Sequence, residues 1–166
     1  MNDYALFLDL TGRRVLVAGA GTVATRRIAD LLRAGASVEI VAPTASADVV
    51  EWAVEGQVRW HARPFATEDV TGAWLVHAAT GDPAVDSSVK AAAEAAGIWA
   101  VRASDAAASP AWCATSTTQD GVMVAVNGGR DPRRAVAVRH GIEAALAAGD
   151  LPLRRRRKPS PDGGRV

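Results

Sequence analysis

A single cysteine, Cys113, stands in the 166 residues. It cannot close an intramolecular disulfide or build a multi-cysteine metal site, and it agrees with a reducing compartment. Aromatic residues are only 5% of the chain, so the core has to be built from aliphatic side chains. No apolar run approaches the ~18–20 residues that a membrane-spanning helix needs. Residues Met1 to Asp9 have neither a basic start nor a long apolar stretch, so they do not read as a secretory signal. These absences predict a cytoplasmic protein that does not engage a membrane. What is present, 49% hydrophobic and 22% charged residues, suffices for one globular domain with a small appendage.

The net charge of +1 hides an asymmetry. From Leu151 onward there are six basic residues (Arg154, Arg155, Arg156, Arg157, Lys158, Arg165) against one acid, Asp162, which leaves 13 basic and 17 acidic residues in the body. The body is therefore near −4 and the tail near +5. The tail's Lys158-Pro-Ser-Pro-Asp-Gly-Gly164 has almost nothing apolar to offset the entropy of ordering, so it reads as a disordered, solvated linker. No nucleic-acid partner is expected.

Apolar runs alternate with helical patterns. Residues 13–18, 37–42, 58–60, 74–79 and 98–101 read as strands. Between them, a helix follows residue 21 with Val23, Ile28, Leu31 and Leu32 on one face, and Ala45 to Val54 and the alanine-rich Pro83 to Ala96 read as two more. Such βαβ units predict an α/β fold with a parallel sheet up to about residue 110. The pattern then changes. Cys113 to Thr118 and Val122 to Val126 flank Gln119-Asp120-Gly121 as a hairpin, and Asp131-Pro132 starts a helix running to about Ala148. That helix should bury some of Val136, Val138, Ile142 and Leu146. A hairpin and one helix are too small to bury a core alone, which predicts packing on the sheet or on a second copy in a homodimer. The organisation is thus 1–110, a nucleotide-binding domain; 111–149, a dimerisation region; and 150–166, a tail or linker.

Gly19-x-Gly21-x-x-Ala24 follows a strand and opens a helix, the context in which this motif binds dinucleotides. Gly19 permits the tight turn, Gly21 lets backbone approach a pyrophosphate, Ala24 allows close packing, and the helix start with Thr22 and Val23 offers N–H donors. The second strand ends in Val41-Ala42-Pro43, with Glu39 inside it, so no acid stands ready for the adenosine ribose. No arginine stands there for a 2′-phosphate, which favours NAD over NADP. Past the fourth strand, Thr80 and Asp82 are candidates for the cofactor site, although Asp82 before Pro83 is also a good helix cap. The three histidines are dispersed. His77 reads as a core residue, Cys113 as a small buried one, and no metal site follows from spacing.

Leu6-Phe-Leu-Asp-Leu10, Gly12 to Ala24, Arg33 to Pro43, Trp74 to Thr80, Gly97-Ile-Trp99 and Val122 to Pro132 together resemble the N-terminal domain of the siroheme synthase family. The resemblance spans residues 4–148. It implies a Rossmann-type domain with a small hairpin-plus-helix dimerisation region, a homodimer, and NAD-dependent oxidation of precorrin-2 to sirohydrochlorin. In some members Fe(II) insertion to siroheme is added. It also implies an acid/base aspartate just past the fifth strand. Counting from Gly97 puts Ser104 at that position and counting back from Trp112 puts Asp105 there; Asp105 has the chemistry to take a proton. Asn127-Gly128-Gly129-Arg130, followed by Arg133, Arg134 and Arg139, could present donors and cations to the carboxylates of a tetrapyrrole substrate. The basic tail resembles the linker before a fused methyltransferase domain, a resemblance compatible with a truncated fusion but not deciding for one. Two rival readings are a chelatase without dehydrogenase activity and a non-catalytic NAD-binding dimerisation module.

Overall fold

The computed structural model describes residues 3–102, 109–129 and 131–151. Two compact units emerge, Met1–Cys113 and Ala114–Val166. The first holds five strands, β1 Arg14–Ala18, β2 Ser37–Val41, β3 Val58–His61, β4 Leu75–Ala78 and β5 Trp99–Arg102, with α1 Thr22–Arg33, α2 Ala47–Val54 and α3 Pro83–Ala95 between them. All strands are parallel, in the order β3-β2-β1-β4-β5. The chain builds outward from β1 to β3, then returns to lay β4 on the other side of β1. Strand order therefore reverses at the carboxyl end of β1, where open sheets of this kind hold ligands.

Burial explains why β1 is a continuous apolar run. Val15, Leu16, Val17 and Ala18 are all fully buried, as a central strand covered on both faces requires. Val15 and Val17 pack with Ile28, Leu31 and Val49, whereas Leu16 and Ala18 pack with Val76, Val89 and Ala93 on the opposite face. Glu39 breaks the apolar pattern of β2 because it is paired, with Arg14 at 2.8 Å and Arg59 at 2.7 Å. The hydrogen bond from Arg14, with lesser help from the Arg59 and His61 charges, holds the Glu39 carboxyl below its ordinary range.

Two expectations for this unit need correction. Val23 does not join the buried face of α1, which consists of Ala24, Thr25, Ile28 and Leu31. It is 55% exposed, because it lies in the first turn of the helix, on the open cleft that follows β1. Cys113 is exposed rather than buried, and it precedes the hairpin strand instead of lying in it. His77, by contrast, is buried as the sequence predicts.

In the second unit, β6 Thr115–Gln119 and β7 Val122–Val126 form an antiparallel pair. Asp120 (φ 50°) and Gly121 (φ 78°) both take the left-handed conformation that a two-residue hairpin turn demands. Helix α4, Pro132–Ala148, starts at the Asp131 cap and ends at Gly149. Of the four apolar residues expected in its core face, only Leu146 is buried, joined by Ala135. Val136 and Val138 remain exposed, because a single hairpin lies against one side of the helix only. Among the described residues, no helix is long and apolar enough to cross a membrane.

Candidate functional site

A cleft of about 350 Å³ opens at the point where strand order reverses, lined by Gly21, Thr22, Val23, Ala79, Thr80, Gly81 and Asp86. Two loops form it, the β1–α1 turn and the segment after β4. They approach closely because residue 19 has no side chain. A Cβ there would meet the Ala79 carbonyl oxygen at 2.2 Å, and the backbone at φ 107° disfavours any other residue.

The first turn of α1 differs from those of α2, α3 and α4. Ser46, Asp82 and Asp131 each cap their own helix with a side-chain oxygen. At α1 the capping position is Gly21, which makes no side-chain cap bond, and a Cβ there would meet nothing within 4 Å. The opening N–H groups of α1 thus face a cleft with room for an anion, with the positive end of the helix behind them.

The opposite wall is held from below. Asp86, in the first turn of α3, is 1% exposed, and its Oδ1 accepts from the Thr80 amide at 3.0 Å and the Thr80 hydroxyl at 2.7 Å. The Thr80 hydroxyl oxygen also accepts from the Asp82 amide at 3.1 Å. Asp82 itself caps α3, accepting from the Ala84 amide at 2.8 Å, and it does not line the cleft. Asp86 escaped the sequence reading because one acid in an alanine-rich helix resembles a solvated position. The only available signal was its spacing four residues after a cap.

The structure thus brings Gly21, Thr22, Val23 and Thr80 together around one cleft, with Gly19 and the buried Ala24 supporting it. In the second unit, the Asn127 side chain accepts from the Gly129 amide at 3.0 Å, and Asp131 accepts from the Arg133 and Arg134 amides. These backbone donors are already used. Gly128 packs so tightly on α4 that a Cβ would meet the Asp131 carbonyl at 2.4 Å. Arg139 is paired with Glu143 on its own helix, while Arg133 and Arg134 are exposed. Arg130, Ser104, Asp105 and the tail from residue 152 lie outside the described residues. Among the described residues, no group of three or more His, Cys, Asp or Glu side chains could hold a metal ion.

A parallel sheet that reverses at β1, with a glycine-rich turn feeding an uncapped helix, defines a nucleotide-binding domain of the Rossmann class. The NAD(P)-binding family profile matches residues 6–113. Precorrin-2 dehydrogenase of Priestia megaterium is 46% identical over 87 residues, covering 52% of this chain and 43% of that protein. Siroheme synthase 3 of Aeromonas hydrophila is 35% identical over 147 residues, 88% of this chain and 31% of that protein. Among solved structures, SirC, a precorrin-2 dehydrogenase, superposes with a TM-score of 0.74 at 31% identity, covering 86% of this chain and 70% of that one. The chain belongs to the NAD(P)-binding family that includes precorrin-2 dehydrogenase and siroheme synthase. It spans less than half the length of those two curated relatives.

Proposed function

We propose that the protein oxidises precorrin-2 to sirohydrochlorin with NAD, a step of siroheme synthesis. The observation that carries this reading is the conjunction of the uncapped α1 terminus in the cleft with likeness to SirC over 86% of the chain. The cleft fits a dinucleotide pyrophosphate: Gly21 leaves space, and the amides of Thr22, Val23 and Ala24 supply donors that no side chain occupies. When bound, the oxidised nicotinamide supplies a hydride acceptor. Gly19 lets the two loops of the cleft approach each other, Thr80 would border the coenzyme on the β4 side, and Asp82 shapes that wall by capping α3. Asp105 takes the proton that leaves precorrin-2 along with the hydride, so each turnover releases one proton to solvent.

In the second unit, Asn127 and Gly128 fix the turn before α4, and Gly129 completes it. Arg130, Arg133 and Arg134 offer charged forks to the substrate's carboxylates in this proposal. A homodimer is part of this proposal. Val122, Met123, Val136 and Val138 are exposed, and the unit's described residues bury only Ala135 and Leu146 in its helix. A second copy covering that apolar surface would supply the missing core. A methyltransferase domain fused beyond the tail is part of the same proposal.

Anaerobic incubation with precorrin-2 and NAD tests the proposal. NADH and sirohydrochlorin should accumulate in equal amounts, and Asp105→Ala should slow both by about a hundredfold or more. Sirohydrochlorin formation without NADH, or full activity in the variant, would overturn the respective assignment.

A further inference from the structure

Arg102 is a cation that the proposed chemistry does not use. It is the last residue of β5, and its amide donates to the Ser109 hydroxyl at 2.8 Å. Among the described residues, every other half-buried lysine or arginine has an acid: Arg14 pairs with Glu39, Arg27 with Asp30, Lys90 with Glu94 and Arg139 with Glu143. Arg102 is half-buried as well. It forms no salt bridge with a described acid, and its buried Nε has no hydrogen-bond partner. A buried donor left unsatisfied costs stability, so this guanidinium calls for a reason.

Its place in the sheet supplies one. Arg102 is the register partner of Ala78 on β4, and Ala79 and Thr80, the next two residues after Ala78, line the cleft. It therefore stands at the ligand end of the sheet, one strand spacing of about 4.8 Å beyond β4. In a sheet of this order a dinucleotide spans the end of β1, with its adenosine half toward β2 and its nicotinamide half toward β4. The β5 side is then left for the molecule that gives up the hydride. We infer that Arg102 binds a carboxylate of the substrate, an anchor at the end of β5 on the far side of β4 from the coenzyme phosphates. The inference rests on the substrate reading above and adds to it a residue of the first unit.

The chemistry of the group fits that role. A guanidinium keeps its charge at any working pH and presents a planar fork, so two parallel N–H···O bonds to a carboxylate fix direction as well as distance. No described acid holds the Arg102 fork, which can turn onto an incoming carboxylate and satisfy Nε in doing so. A coenzyme phosphate is the other anion of suitable chemistry. Its donors are the amides at the start of α1, which follows β1, and β1 lies two strands away from β5. Arg102 is therefore a substrate-binding residue, and its removal leaves the coenzyme site intact.

The test is titration of the whole chain with sirohydrochlorin, the product that keeps the substrate's carboxylates, and separately with NAD, followed by absorbance and calorimetry. Arg102→Gln should weaken sirohydrochlorin binding by about ten- to a hundredfold, the range for losing a hydrogen bond to a charged group, and leave the NAD affinity unchanged. Arg102→Lys, which keeps the charge without the fork, should fall between the two. Arg102→Met keeps the apolar stem and removes the unpaired donor, so it should melt no lower than the unaltered protein. A clear drop in that melting temperature would give Arg102 a structural partner and overturn the inference. Unchanged sirohydrochlorin affinity in a folded Arg102→Gln protein overturns it as well, and so does weakened NAD binding, which would hand the guanidinium to a coenzyme phosphate. If the unaltered protein binds NAD but no sirohydrochlorin, the substrate reading fails and this inference falls with it.

Discussion

His77 is a buried ionisable group of strand β4, in register with Val17 on one side and Val101 on the other. Burial pushes its imidazole down to about 4, with the Arg27 charge adding to the effect. Folded His77 is therefore neutral at pH 7, while the unfolded chain takes up a proton below its ordinary 6.5. Stability is fully present above about 6.5, falls as the pH drops, and levels off near 4. The loss attributable to this residue is about 3 kcal/mol. Urea midpoints measured from pH 7 to 4.5 should fall, and His77→Leu should flatten the curve. Parallel curves for the two proteins would show that the histidine is not responsible. Glu39 acts in a lower window. Its carboxyl is depressed by Arg14 from 4.5, so its contribution is lost only as the pH falls below that value.

At the scale of elements, the start of α1 trades stability for an open site. Gly21 has φ −81° and open space where a Cβ would stand, so a capping side chain fits without strain. Gly21→Asp should raise helix stability by roughly a few tenths of a kcal/mol, the usual difference between aspartate and glycine as caps. It should also abolish NAD binding, since a carboxylate would take the N–H groups and repel the pyrophosphate. A thermal melt and a binding titration on one sample check both signs, and retained NAD affinity would remove the phosphate role from this terminus. The elements themselves were legible because hydrophobic period and punctuation agree. The buried run Val15 to Ala18, the Asp82 and Asp131 caps, and the Asp120-Gly121 turn each encode their geometry locally. Asp86 was illegible because its burial depends on the Thr80 loop folding over it, a contact made between elements. Val23 was misread because helical period says which residues share a face but not where a cleft opens beside them.

For the whole molecule, the unit from Ala114 onward carries exposed Val122, Met123, Val136 and Val138 around a very small core. Light scattering should return twice the mass of one chain. Met123→Asp should halve that mass and lower the melting temperature, whereas on a monomer an exposed substitution changes stability by only about 0.5 kcal/mol. An unchanged mass in a variant that melts normally would assign the apolar surface another use. The sequence by itself determined the alternation of strands and helices, the glycine turn at residue 19 and the caps, because each depends on neighbours a few residues away. Only the tertiary structure decided that a cleft opens at the uncapped start of α1, that Asp86 is buried behind Thr80, and that, among the described residues, most of α4's apolar face stays uncovered. Those outcomes follow from which surfaces meet in space, and residue order along the chain does not specify that locally.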